Sequence, residues 1–152
     1  MNSSDNWLLH DHSQQEELLS RCQEAVEIED WDKANLTFRK LLAELKWHIL
    51  QEEQVVYPAY EAEINTPGEP TAALRTEHRK IMAFMNDMLQ VFASQNSEHV
   101  LDCLNRLEQL LTKHHEKEED IFLPMASLIL KDIREEIQKK LHSFNAAKKD
   151  KD

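Results

Sequence analysis

Four long stretches of this chain space their apolar residues at steps of three and four, and each stretch sets one histidine into its apolar stripe. In the first, His12 falls in line with Leu8, Gln15, Leu19, Cys22 and Val26. In the second, Phe38, Leu41 and Leu45 lead to His48, with Glu52, Val55 and Ala59 beyond it. In the third, His78 lies between Leu74 and Ile81, ahead of Met85, Met88 and Phe92. In the fourth, Leu104, Leu107 and Leu111 lead to His114, followed by Glu118, Ile121 and Met125. Such a stripe is the face that an amphipathic helix buries, so four helices with inward-facing histidines are expected.

One Gly and four Pro among 152 residues leave too few turn formers for a strand-rich fold. The expected class is all-α. EIEDW, INTPGEP and SQNSE are the only breaks between the four stretches, and links this short make consecutive helices antiparallel. The expected architecture is an up-down-up-down four-helix bundle over about residues 5–126. SLILKDIREEIQKKLHSF, amphipathic and following Pro124, predicts an additional C-terminal helix over about 127–147 packed on the bundle. Pro124 should end or kink the fourth helix, and the tail AAKKDKD should fray. The whole, 1–152, is expected to be a single domain.

The second and fourth stretches share a phrase. HILQEEQVVYP from His48 and HHEKEEDIFLP from His114 both read His, Glu four later, Glu five later and Pro ten later. The i, i+4 spacing puts His48 with Glu52, and His114 with Glu118, on one helix face a turn apart. Counted from the expected helix starts, and with helices alternating in direction, the four stripe histidines lie within roughly one turn (5.4 Å) of a common level. A single stripe histidine is usually an ordinary core residue. Four at one depth, with two carboxylates that are costly to bury unpaired, point instead to a metal site. Nitrogen and oxygen donors without thiolate suit iron or manganese, with zinc possible. By phase, His10 and His115 are expected on the outside. Cys22 and Cys103 have no metal-ligand spacing and are expected as reduced thiols at the end of the bundle remote from the histidines, a reversible disulfide being the minority option.

These motifs resemble the hemerythrin-like family, the HHE cation-binding domain. DHSQQEELL carries His12, HILQEEQVVYP carries His48 and Glu52, LRTEHRKI carries His78, and HHEKEEDIFLP carries His114 and Glu118, so the resemblance spans about residues 8–128. It implies two iron ions bridged by Glu52, Glu118 and an oxo or hydroxo group, one ion taking His78 and His114 and the other His12 and His48. The oxygen carriers of the family have a fifth histidine four residues after the third-helix His. Here that position is Met82, so reversible oxygen storage is not implied.

Around these residues, Glu53 and Glu119 are expected either to orient ligand imidazoles or to lie on the surface, and Glu77 and Glu53 to be solvated rather than extra ligands. Tyr57, Tyr60, Trp47 and Met82 are expected as packing, and Leu45, Ile81, Leu111 and Ile121 as the walls that keep the centre dry. The expected function is a cytoplasmic non-haem di-iron protein that binds or senses dioxygen or a related small oxidant. The alternatives are a di-iron enzyme turning over peroxide or nitric oxide, and an iron-sensing interaction module. A net charge of −11 argues against nucleic acid as a partner. No apolar run approaches the roughly 20 residues of a membrane span, and no secretion signal is evident at the N-terminus. No feature names a protein partner.

Overall fold

The structure, a computed structural model, describes residues 3–65 and 68–151, with side chains over 8–65 and 68–147. It is all-helical, and no strand occurs among the described residues. Helix α1 spans Ser3–Glu27 and α2 Trp31–Gln51. A π turn, Glu52–Val56, carries α2 into α3, Tyr57–Ile64. Helix α4 spans Thr71–Ala93 and α5 Ser97–Lys117. A second π turn, Glu118–Phe122, leads into α6, Leu123–Ile129. A 3-10 turn, Lys131–Ile133, then precedes α7, Arg134–Lys151.

The short links are built without glycine. Glu29 and Gln95 take left-handed backbone (φ 57° and 53°) at the ends of α1 and α4. The next residues, Asp30 and Asn96, cap α2 and α5 by accepting from the Lys33 and His99 amides. Asn65 closes α3 in the same left-handed region (φ 59°). Thr66 and Pro67, in the expected interruption, lie outside the described residues. The breaks EIEDW and SQNSE thus each supply the cap of the following helix.

Helix α1 packs on α2 and α5, and α4 packs on α5 and α2, closing a ring of four. The core divides in two. One cluster, from Leu19 and Phe38 to Met88 and Leu107, fills the end with the α1–α2 and α4–α5 links. The other joins Val55, Tyr57, Leu74 and Phe122 to Leu130, Ile137 and Leu141. Along α2, α4 and α5 the stripe histidines fall between residues of these two clusters. The expected C-terminal helix is not continuous: Leu130 (φ −96°, ψ 5°) breaks it, and α6, the 3-10 turn and α7 take its place. Helix α7 docks through Phe144 stacked on Trp47 at 4.6 Å, and through Asn145, which accepts from the Trp47 indole and the Gln51 amide at 2.9 Å each. The backbone is helical through Lys151, and Asp152 lies outside the described residues.

The two π turns explain the repeated phrase. Each begins at the glutamate of HxxxE and ends just before the residue preceding a proline. The Tyr57 amide reaches back five residues to the Glu52 carbonyl, and Leu123 does the same to Glu118. A proline ring clashes with the carbonyl four residues back in a regular helix, and a widened turn before it relieves that clash. The extra residue also rotates everything downstream. The stripe holds through Glu118, but Ile121 and Met125 emerge 49% and 40% exposed, while Phe122 and Ala126 are 1% and 5% exposed. Ile121 is thus not the wall residue that a straight helix predicts. In the second helix Val55 stays buried, but Tyr60, 1% exposed, replaces Ala59.

This register gives a direct test by urea denaturation. Phe122→Ala should cost about 3–5 kcal/mol, as for a buried aromatic, and Ile121→Ala within about 0.5 kcal/mol, as for a surface site. A straight helix would reverse the order.

Candidate metal centre

His12, His48, His78 and His114 are each 2–3% exposed, and Glu52 and Glu118 are wholly buried. All six come together. Glu52, His78, His114 and Glu118 offer donor atoms within 4.8 Å of one another, and so do His12, His48 and Glu118. Glu118 is common to both groups; its Oε1 lies 2.8 Å from His114 Nε2 and 3.4 Å from His12 Nε2. Glu52 Oε1 likewise sits between two helices, 3.3 Å from His48 Nε2 and 3.2 Å from His78 Nε2. Both glutamates stand where a carboxylate could span two cations.

The outer nitrogens decide which way the lone pairs point. His48 Nδ1 is 2.8 Å from Asp11 Oδ2, His78 Nδ1 is 3.0 Å from Glu53 Oε2, and His114 Nδ1 is 2.8 Å from Glu77 Oε1. A carboxylate only accepts, so each of these Nδ1 atoms carries a proton and each ring, when neutral, turns a bare Nε2 inward. His78 Nε2 and His114 Nε2 then face each other at 3.0 Å. Two lone pairs at that distance repel unless a proton or a cation lies between them. Among the described residues, Glu52 Oε1 and Oε2, Glu118 Oε1 and both nitrogens of His12 are buried without a hydrogen-bond partner. Carboxylate lone pairs and imidazole lone pairs converging on one dry space fit a metal and fit little else.

A family model described as the hemerythrin HHE cation-binding domain matches residues 3–126. The chain belongs to that family. No curated protein and no solved structure gives a significant match.

In this HHE domain the orienting carboxylates form a ring. Asp11, next to His12 on α1, serves His48 on α2. Glu53, next to Glu52, serves His78 on α4. Glu77, next to His78, serves His114 on α5 and also pairs with Lys117. Glu119, next to Glu118, stands 3.7 Å from His12 Nδ1. Each acid thus neighbours one inward-facing donor in sequence and faces the histidine of the next helix in space. Glu53 and Glu119 have the orienting placement weighed for them, although Glu119 is at long range. Glu77, expected on the surface, orients His114. Asp11 was not singled out from sequence, and its only signal is its place beside a stripe histidine.

His115 is the main correction. Its phase predicts an outward side chain, yet it is 2% exposed. One step round from His114 faces α1 rather than water. There it stacks on His12 with centroids 3.8 Å apart, its Nε2 hydrogen-bonded with Gln15 Oε1 at 3.0 Å and its Nδ1 3.4 Å from Glu16 Oε1. Its Nε2 is turned to Gln15, not to the cluster, so His115 braces His12. His10 is exposed as expected. Met82 is half-buried against the apolar core. Tyr57 does more than pack: its hydroxyl donates to Glu118 Oε2 at 3.1 Å. Cys22 and Cys103 are free thiols, and burial pushes Cys22 up to about 12, which keeps it protonated.

Without a cation the cluster divides its protons unevenly. Burial, helped by His48, pushes His12 down to about 4, and burial with His78 does the same to His114. Burial also opposes charge on His48, but Glu52 and Asp11 outweigh it and raise that ring to about 9. His78 is raised too, because Glu52 and Glu53 overcome its burial. Burial would raise Glu52, but His48 and His78 hold it well below the usual carboxylate range.

Removing an orienting acid should weaken the metal without removing a ligand. Glu77→Ala and Asp11→Ala are each expected to lower metal affinity roughly 10–100-fold, read by competition with a chromophoric chelator.

Proposed function

We propose that this HHE domain is a non-haem di-iron protein that binds or senses dioxygen or a related small oxidant. In this reading His12 and His48 hold one ion, His78 and His114 hold the other, and Glu52 and Glu118 join them. Iron in that place supplies a redox-active Lewis acid able to take a small ligand; manganese and zinc are the less favoured occupants. The observation that carries the proposal is the inward lone-pair set, three of whose imidazoles have their Nδ1 protons fixed by carboxylates.

The carboxylate ring also supports the up-down-up-down arrangement. A residue one before the donor on an ascending helix, and one after it on a descending helix, rotates in the same sense about the bundle. Asp11 and Glu77 precede their donors, and Glu53 and Glu119 follow theirs, so alternating helices would turn all four toward the next neighbour. The single-domain reading of 1–152 rests on α7 being docked to α2. A cytoplasmic setting agrees with two free thiols. Among the described residues no helix is long and apolar enough to cross a membrane.

The protein's own groups have defined tasks. The four acids hold the imidazoles in place. Leu45, Ile81 and Leu111, each 2% exposed, exclude water from the side facing the larger core cluster. Tyr57 favours a second reading, oxidant turnover, because its hydroxyl proton sits on a hydrogen bond to Glu118. Steady-state assays with peroxide and a reductant separate the two. Sustained turnover that falls in Tyr57→Phe identifies an enzyme, and its absence leaves a binding protein.

Metal analysis of the purified chain should find two transition-metal ions, both lost in a Glu52→Ala, Glu118→Ala double variant. Loading the apoprotein at pH 7 should release a proton from His48, since ligation requires neutral imidazole. The sign follows from the raised group: His48 is protonated below about 9, so release should decline as the pH passes that value. Calorimetry in buffers of different ionisation enthalpy measures it.

A further inference from the structure

A cavity of about 40 Å³ lies between the π turns and the C-terminal segment, and Glu52 forms part of its wall. Phe122, Ala126, Leu130, Ile137 and Arg134 also line it. The four apolar residues are all buried and belong to the smaller core cluster, while the half-buried Val56, Leu123 and Ser127 line the rest, so the space is a partly open pocket rather than a sealed void. Arg134, half-buried, begins α7. A single water needs roughly 10–15 Å³ of such volume, so the cavity has room for a molecule of two or three heavy atoms. Its lining is mainly apolar, with Glu52, Ser127 and Arg134 as the polar members.

The π turn at Glu118–Phe122 accounts for the space. Its extra residue turns Met125 outward, 40% exposed, and leaves Ala126 facing in. A methionine has three heavy atoms beyond Cβ that alanine lacks. On the opposite side of the six donors, Leu45, Ile81 and Leu111 close the core. The cavity is therefore an open volume that reaches a bridging-type carboxylate.

We infer that this cavity is the antechamber through which a small, uncharged, apolar molecule of the size of dioxygen or nitric oxide reaches the Glu52 side of the centre. Helix α6 and the start of α7 form its outer wall, and the C-terminal segment thereby controls access. The inference rests on the di-iron reading above, but the cavity itself can be probed without metal. Crystals of the full chain under xenon pressure should hold xenon beside Ala126, and Ala126→Met should exclude it. In the iron-loaded, reduced protein, Ala126→Met should slow nitric oxide association roughly tenfold, because entry then needs a transient opening. Leu130→Ala should accelerate it, with iron content unchanged in both. Xenon found only elsewhere, or an association rate indifferent to both substitutions, overturns the inference. If Ala126→Met fails to fold, an unchanged rate in Leu130→Ala overturns it alone. Xenon bound beside Ala126 in a chain that loads no iron refutes the di-iron reading, and the entry route with it, while leaving the cavity itself established.

Discussion

Glu52 and Glu118 are buried in a bundle whose surrounding core is apolar, and four imidazoles aim at them. A carboxylate in such a place is tolerable only when its charge is met at close range. The flanking groups limit how that can happen. Three of the rings already spend their Nδ1 protons on Asp11, Glu53 and Glu77, so what remains inside is a set of lone pairs. In the absence of a cation, the acids raise His48 to about 9 and raise His78 as well, so protonated rings are the counter-charges the cluster itself can offer. Cations held by the two donor groups would take the place of those protons. The two core clusters on either side supply the rest of the folding energy.

The π turns connect that constraint to the shape of the domain. They start at the two glutamates themselves, and π turns recur in helices at functional sites. Each lets the chain pass a proline without ending the helix and rotates the following residues. On one side of the turn the stripe supports His48 or His114. On the other it builds the smaller core, with Tyr57 against Glu118 and Phe122 against Tyr57 at 5.2 Å. The same rotation leaves the small Ala126 where a cavity meets Glu52. Helix continuity past each proline, the smaller core and the inferred route to Glu52 thus share one inserted residue per helix.

Met82 stands at the place of the oxygen carriers' fifth histidine, and in the proposed di-iron reading that leaves two histidines for each ion. His115 partly changes what that means. It adds no nitrogen to the cluster, but by stacking on His12 and bonding to Gln15 it braces the one stripe histidine whose Nδ1 lacks a hydrogen-bonded carboxylate. Rigidity at His12 therefore comes from an aromatic contact, whereas His48, His78 and His114 obtain it from acids.

The chain's sequence alone was enough to indicate four helices, their links and the six inward donors. Those are consequences of local repetition: apolar residues at steps of three and four mark the buried face, and His12, His48, Glu52, His78, His114 and Glu118 lie in phase with them. Tertiary structure decided which acid serves which histidine, because Asp11 and His48, or Glu77 and His114, are near only when separate helices pack side by side. It decided the burial of His115, since a residue one step off the stripe faces water or a neighbouring helix according to what packs there. It also decided the register beyond Glu118, where a carbonyl bonded five residues on rather than four exchanged Ile121 for Phe122. Periodicity assumes an unbroken helix, and it fails where the backbone hydrogen bonds change their step.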